Sequence, residues 1–169
     1  STSNYQNGDV NFDNQINVVD IVIMVNFILG ITTPTNEEFI AADLNGDGEL
    51  NVVDVVSNIS NILNIRRNNT SFSNLKSLKI NQKNKFINIL RNPNVSGIEI
   101  HFKSQCSIVN SNIDNNWTIR NHKNKIILYS NDLNPMNKNF SIKLDKYCRI
   151  DQVITSDKNG RIIKSNFYK

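Results

Sequence analysis

Hydrophobic and polar positions divide the chain into two parts with different periodicities. Up to residue 65 the apolar residues recur every three or four positions, which is typical of helices, and they predict helices over residues 18–29, 36–42 and 52–65. From residue 75 onward, apolar and polar residues alternate in short runs between turn-forming residues, which predicts antiparallel strands. We therefore expect an α+β protein of two domains, a small all-α domain over residues 1–66 and an antiparallel β-sandwich over residues 71–169.

Local signals mark several ends of these elements. Gly30 follows the first predicted helix as a C-cap, and Thr35 with Glu38 forms a capping box that starts the second. In the strand region, residues 75–80 and 85–90 predict a hairpin around residues 81–84. The pair Asn159-Gly160 predicts a second hairpin, with residues 161–164 as its return strand.

One polar stretch occurs twice, directly before the first and third predicted helices. Residues 9–20 and 43–54 both place oxygen-bearing side chains at loop positions 1, 3, 5, 9 and 12, and a backbone carbonyl is available at position 7. A hard cation such as calcium needs such a set of oxygens. Position 6 requires a sharp turn, and it is Asn14 in one loop and Gly48 in the other. The sequence therefore predicts two calcium ions, with these ligands: Asp9, Asn11, Asp13, Gln15, Asn17 and Asp20 in the first loop, and Asp43, Asn45, Asp47, Glu49, Asn51 and Asp54 in the second.

The repeat resembles the type I dockerin family over the first 65 residues or so, since position 12 is Asp and no helix precedes the first loop. The resemblance implies a compact calcium-binding helical module that docks onto a cohesin β-sandwich. Where many dockerins have Ser-Thr at positions 10 and 11, this chain has two valines in each copy, which predicts an apolar docking surface. Its candidate residues are Val18, Val19, Val22, Val52, Val53 and Val56.

The strand region resembles cohesin-like and carbohydrate-binding-module-like sandwiches in two short stretches, residues 95–102 and 154–162. This resemblance is a hint about the fold.

Charge is divided unevenly between the two parts. Residues 1–65 contain nine acidic and no basic residues, whereas the rest contains all 19 lysines and arginines and six acids, a net charge of +13. Opposite halves attract each other, either within one chain or between chains.

The even number of cysteines, in a chain with predicted calcium loops, favours an oxidising, extracellular setting. Cys106 and Cys148 are the only cysteines, and a disulfide between them is favoured over two buried thiols. Several Asn-x-Ser/Thr sequons would be glycosylation sites in a host that glycosylates. The candidate acceptors are Asn58, Asn68, Asn69, Asn94, Asn116 and Asn139. The chain has no run of 18 apolar residues, so no membrane span is expected.

The motifs predict binding rather than catalysis. No nucleophile–base constellation, phosphate loop or zinc-ligand spacing occurs, and His101 and His122 stand alone in the sequence. We therefore expect a secreted or cell-surface, non-enzymatic assembly or adhesion module that docks, with calcium, onto a β-sandwich partner. The sandwich belongs either to another protein or to a second copy, in which case the contact builds a ring or a filament.

Two alternatives stay open at this point. One is a carbohydrate-binding module in which Trp117, Tyr129 and lysines form a sugar platform for a cell-surface or extracellular glycan. The other is a non-catalytic C-terminal anchoring fragment of a larger secreted enzyme, with its two halves packed together. Nucleic acid is not an expected partner of a secreted module.

Overall fold

The computed structural model describes residues 5–65 and 76–168. Its N-terminal part contains three helices, α1 Val18–Leu29, α2 Asn36–Ala42 and α3 Val52–Ile62. Each begins at a capping box, as predicted for α2, and Gly30 ends α1 in the left-handed conformation (φ 71°). Helix α3 ends three residues earlier than predicted, and Asn64 just beyond it has a φ of 50°.

The C-terminal part is a sandwich of two five-stranded sheets. Its strands are β1 Leu78–Lys83, β2 Phe86–Ile89, β3 Val95–Phe102, β4 Ile108–Asn112, β5 Trp117–His122, β6 Lys125–Ser130, β7 Phe140–Leu144, β8 Ile150–Asp157, β9 Ile162–Ile163 and β10 Ser165–Tyr168. We call the sheet of order β10-β1-β2-β7-β4 the open sheet, and the sheet of order β5-β6-β3-β8-β9 the helix-covered sheet. The predicted α+β class, with helices first and an antiparallel-rich sandwich second, is confirmed.

Alternating inward side chains of both sheets form the core of the sandwich. Ile80 and Ile87 of the open sheet and Ile98 and Ile126 of the helix-covered sheet are all 0% exposed. Burial of such apolar surface is the main favourable term that holds two sheets face to face. A disulfide joins Cys106 and Cys148 within this sandwich, as predicted.

The strands differ from the prediction in two places. The first hairpin turns at Asn84 and Lys85 rather than over residues 81–84, because a two-residue turn with a positive φ, here 52° at Asn84, matches the twist of its strands. The last strand, β10, was not predicted at all. It pairs in parallel with β1, a long-range contact that the local pattern does not encode.

The exposure of each asparagine side chain decides whether a predicted glycosylation site is accessible in the folded chain. Asn58 is 0% exposed, and its amide nitrogen donates to the Gly8 carbonyl at 3.0 Å, so it is not a glycosylation site of the folded chain. Asn68, Asn69 and the predicted domain boundary lie outside the described residues. The side chains of the remaining three acceptors are at least partly exposed, and their use stays a prediction. None of the described helices has the length and apolar content needed to cross a membrane.

The two parts of the chain pack against each other. Helices α1 and α3 lie on the outer face of the helix-covered sheet, mainly over β3, β6 and β8. One apolar cluster contains the helix residues Val25 and Val56 together with Ile127 and Tyr129 of the sheet. The helical part therefore completes its core on the sandwich, which fixes the position of the site described next.

Candidate calcium loops and docking interface

The two loops share most of their internal hydrogen bonds, and the second has one more, from the Gly46 N–H to the Asp43 carboxylate at 2.9 Å. In both, the carboxylate at position 1, Asp9 or Asp43, accepts the N–H groups of positions 5 and 6, at 3.2 and 2.9 Å. The carboxylate at position 12, Asp20 or Asp54, accepts the N–H groups of positions 2, 3 and 9, at 2.8–3.4 Å in the first loop and 3.0–3.4 Å in the second. The repeated sequence therefore folds into one repeated backbone.

Left-handed residues shape the turns of both loops. Position 6 has a positive φ in each, 66° at Asn14 and 82° at Gly48, as predicted. Position 4 is also left-handed, with φ 59° at Phe12 and 69° at Gly46, which the sequence did not suggest for a phenylalanine. The side chains of position 9 cap helices α1 and α3 by accepting the N–H groups of Val19 and Val53, and Asn17 and Asn51 are thus N-caps.

The donors of these loops fit calcium chemically. Asp9, Asp20 and Asp54 are at most 4% exposed, and residues 1–65 contain no lysine or arginine that could neutralise them. A buried carboxylate that lacks a counter-charge is costly, and a bound cation removes that cost. The loops offer only oxygen donors, which hard cations prefer.

The structure does not by itself gather the ligands. Among the described residues, no group of three or more His, Cys, Asp or Glu side chains is close enough to hold a metal ion. The carboxylates instead accept loop N–H groups, and the amide of position 3 contacts the carboxylate of position 5 in each loop. The twelve predicted ligands, with Gln15 and Glu49 contributing backbone carbonyls, stay a prediction.

Calcium affinity is expected to fall as the pH is lowered through about 6. Burial, with the charges of Asp43 and Asp47, raises the pKa of Asp54 to about 6. Because this folded pKa exceeds the unfolded one, ionising Asp54 between pH 4 and 6 destabilises the calcium-free fold, whereas calcium requires the ionised form. We expect an affinity about tenfold weaker at pH 5 than at pH 7 by calorimetry. Equal affinities at both values, with the helices still folded, would contradict this.

The two repeats differ sharply in the exposure of equivalent valines. Val52, Val53 and Val56 of the second repeat are each 0% exposed. Their counterparts in the first repeat are exposed, Val18 by 68%, Val19 by 48% and Val22 by 45%. The predicted docking valines therefore occur in two equivalent sets, of which only the second is covered in this chain.

A glycine on strand β3 makes room for the second repeat. Gly97 pairs with Tyr129 on one side and Ser156 on the other, so it faces the helices. A β-carbon at this position would lie 2.7 Å from a methyl carbon of Val56 and 2.8 Å from one of Val52. Only glycine allows helix α3 to approach the sheet this closely.

Charged side chains of the sandwich meet the helix ends with the appropriate sign. Glu99, 1% exposed, accepts the Val52 N–H at 2.8 Å, at the positive end of α3. Its other carboxylate oxygen lies 2.5 Å from the His101 ring nitrogen Nε2. Lys125 donates from Nζ to the Ile28 carbonyl at 3.0 Å, at the negative end of α1. Both contacts join the acidic and basic parts of one chain.

Sequence reasoning missed these sandwich residues. Gly97 and Glu99 each break an apolar strand, and such positions often mark close backbone approach or a buried polar contact. His101 was expected to stand alone and instead contacts Glu99. The predicted sugar platform was wrong: Trp117, 5% exposed, packs edge-on against a core phenylalanine, and Tyr129, 6% exposed, lies under the helices.

Replacing Gly97 by alanine is expected to lower the free energy of unfolding by about 1–3 kcal/mol, because the added methyl group overlaps two valines. Combined with Val56→Ala, which removes one overlap, the loss should be less than additive by about 1 kcal/mol. Urea unfolding of both single variants and the double variant measures this coupling. Strict additivity would show that the close approach of Gly97 to Val56 is not made in solution.

The geometry defines a class of module: two oxygen-rich loops, each starting a helix, with one helix face against a β-sheet. Within this class, residues 7–64 match the family model described as the dockerin type I domain. This part of the chain is therefore a type I dockerin, a protein–protein docking module. The match covers about a third of the chain and does not include the sandwich.

Comparison of structures gives only weak similarities. A chain of a type I cohesin–dockerin complex from Clostridium thermocellum has a TM-score of 0.37 and 5% identity, over 59% of this chain and 94% of that one. A non-cellulosomal cohesin from Archaeoglobus fulgidus has a TM-score of 0.35 and 10% identity, over 54% and 84%. The chitin-binding domain of a Pyrococcus furiosus chitinase has a TM-score of 0.36 and 9% identity, over 52% and 94%. Similarities of this size carry no functional information. No curated protein matches the sequence significantly.

Proposed function

We propose that this protein is a non-enzymatic, extracellular docking module with two docking faces, one of which is used internally. The second repeat of the dockerin binds the β-sandwich of its own chain, and the first repeat is available to a β-sandwich of another protein. The observation that supports this is the pair of equivalent valine sets, one fully buried and one exposed. Bound calcium would order both loops, because binding energy becomes folding energy in such sites.

Attachment within one chain favours the internal contact. A tethered partner has an effective concentration in the millimolar range, so the second repeat is expected to stay on its own sheet. The contact has the apolar centre and the matched polar ends of a specific interface. Val52 and Val56 fill the space above Gly97, while Glu99 and Lys125 bond to the helix ends.

The first repeat carries the features that a second partner requires. Val18 and Val22 are exposed next to a groove of 320 Å³, which runs between α1, the end of α3 and strands β5 and β6. Apolar side chains kept at positions that the fold leaves exposed are typical of protein interfaces. Because both repeats share one backbone geometry, a suitable partner sheet would offer a glycine and a carboxylate spaced like Gly97 and Glu99.

Assembly of identical chains is a second form of the same proposal. The helix-covered sheet of each chain is already occupied, so head-to-tail docking requires that α3 of one chain exchange onto the sheet of the next. Such exchange builds a ring or a filament and needs no new contact. The disulfide between Cys106 and Cys148 supports an extracellular setting, where such bonds persist.

Molar mass in solution distinguishes the internal contact within one chain from the assembly in which chains exchange α3. In millimolar calcium, light scattering of the full chain is expected to give the monomer mass of 19.3 kDa. Chelation with EGTA should leave the mass unchanged and increase the hydrodynamic radius, because the loops that place α3 on the sheet lose their order. Calcium-dependent oligomers would contradict the internal contact and support the exchanged assembly.

The exposed docking face of the first repeat is tested with a variant in which α3 no longer covers the helix-covered sheet. The double variant Val22→Asp/Val56→Asp is expected to release α3 and to keep its own tethered first repeat off the sheet, so that wild-type protein can bind the exposed sheet through Val18 and Val22. A mixture of the two should form a one-to-one complex in calcium, and Val22→Asp in the wild-type partner should abolish it. Absence of a complex, with the double variant shown to be open by its radius, would contradict a second docking face.

A further inference from the structure

The outer face of the open sheet is cationic and carries no acid. The five strands β10, β1, β2, β7 and β4 contain no Asp or Glu, and their outward lysines include Lys79, Lys83 and Lys143. Within residues 5–65 and 76–168, no carboxylate forms an ion pair with any of these three. The dockerin, with all nine acids of the N-terminal part, covers the opposite side of the sandwich. The open sheet therefore presents positive charge on the side of the sandwich that faces away from the acidic dockerin.

Two of these lysines stand in one row across the sheet. Lys83 of β1 pairs with Phe86 of β2, and Phe86 pairs with Lys143 of β7. The two lysine backbones are thus two strands apart, about 10 Å. The Lys143 ammonium lies 5.8 Å from the centre of the Phe86 ring, a cation–π contact that holds this charge down on the sheet.

A row of neutral polar side chains runs parallel to the lysine row. Tyr168, Asn81, Asn88, Ser141 and Asn112 are paired one after another across all five strands. This row lies two residues along the strands from the lysine row, about 7 Å away. Amide and hydroxyl groups both donate and accept hydrogen bonds, as sugar hydroxyls require.

We infer that the open sheet binds a linear anionic polysaccharide with one carboxylate per disaccharide, laid across the strands. The backbones of Lys83 and Lys143 are about 10 Å apart, which is two strand spacings. One disaccharide unit of such a polymer has about the same length. Carboxylates of the polymer would meet the lysine row while its hydroxyl groups meet the amide row. Since the surface is opposite the dockerin, a glycan and a docking partner can be bound at the same time, and the protein would link them.

The row of amide and hydroxyl side chains favours a polysaccharide over other anionic ligands. The acidic part of a second copy would bind through charge alone and has no regular series of hydroxyl groups for Asn81 and Asn88. Nucleic acid carries phosphates that are closer together than the two lysines of the lysine row.

The test measures binding of the full chain, in millimolar calcium and about 0.15 M salt, to a hyaluronan decasaccharide by calorimetry. We expect measurable binding that weakens at least tenfold in the double variant Lys83→Gln/Lys143→Gln. Asn81→Ala/Asn88→Ala should weaken binding about threefold or more without changing its salt dependence, because no charge is removed. Lys103→Gln is the matched control: this lysine is exposed, pairs with Asp151 outside the open sheet, and should change affinity less than twofold.

Several results would overturn the inference. Equal affinity for polyglutamate of the same charge would show attraction by charge alone, and tighter binding of single-stranded DNA would assign the surface to nucleic acid. Concentration-dependent association of the chain that disappears in high salt would assign it to a second copy. No binding to hyaluronan, or an equal loss of affinity in Lys83→Gln/Lys143→Gln and in the control Lys103→Gln, would show that the lysines of the open sheet contact only solvent. None of these results bears on the docking faces, whose test uses Val22 and Val56.

Discussion

Replacing Val56 by aspartate is expected to lower the free energy of unfolding of the helical part by about 3–5 kcal/mol, because it buries an unpaired charge. Val56 is 0% exposed and lies against Gly97 in the contact between α3 and the sheet. The wild type should unfold in urea in one transition, seen alike by helical circular dichroism and by fluorescence of Trp117 in the sandwich core. In the variant the helical transition should occur at lower urea than the fluorescence transition.

The matched control is the same substitution in the first repeat. Val22 occupies the equivalent position of α1 and is 45% exposed, so Val22→Asp should change the free energy of unfolding by less than about 0.5 kcal/mol. The two variants have the same chemistry and the same place in the repeat, and differ only in what covers them. Equal destabilisation of both would show that the second repeat is not docked on the sheet in solution.

Replacing Glu99 by alanine is expected to cost about 2–3 kcal/mol, since it removes a charged acceptor and leaves the buried Val52 N–H without a partner. Glu99→Gln should cost less, because an amide oxygen can still accept that N–H. Denaturation in millimolar calcium measures both, and amide hydrogen exchange at Val52 should accelerate in the alanine variant.

Asp151 provides the control for Glu99. It lies on the neighbouring strand β8 and pairs with Lys103, but its side chain is 44% exposed and that of Lys103 is 59% exposed. Exposed pairs contribute little, so Asp151→Ala should cost less than about 0.5 kcal/mol. If the two alanine variants are equally stable, Glu99 does not cap α3.

Much of the helical part was predictable because its signals are local. Oxygen-bearing residues at fixed spacing, Asn14 and Gly48 at the sharp turns, and Gly30 at a helix end all act within a few residues of themselves. The start of each helix agreed with the structure for the same reason. The left-handed Phe12 was not predictable, since it follows from the hydrogen bonds of the closed loop and not from its own preference.

The strand region was predicted less well, since pairing is a long-range property. Alternation indicated where strands occur, but the turn at Asn84 and the parallel strand β10 depend on register and on partners far away in the sequence. Glu99 and Gly97 were visible as interruptions of an apolar strand. Their purpose became clear only when helix α3 was found above them.

The sequence by itself determined the two loops, the helices that follow them and the duplicated valines, because each is encoded by a short repeated pattern. It could not decide which copy would be covered, since the copies are alike: Val18, Val19 and Val22 match Val52, Val53 and Val56. The tertiary structure decided it. A glycine gap and a buried carboxylate on strand β3, far away in the sequence, accept the second repeat and leave the first exposed.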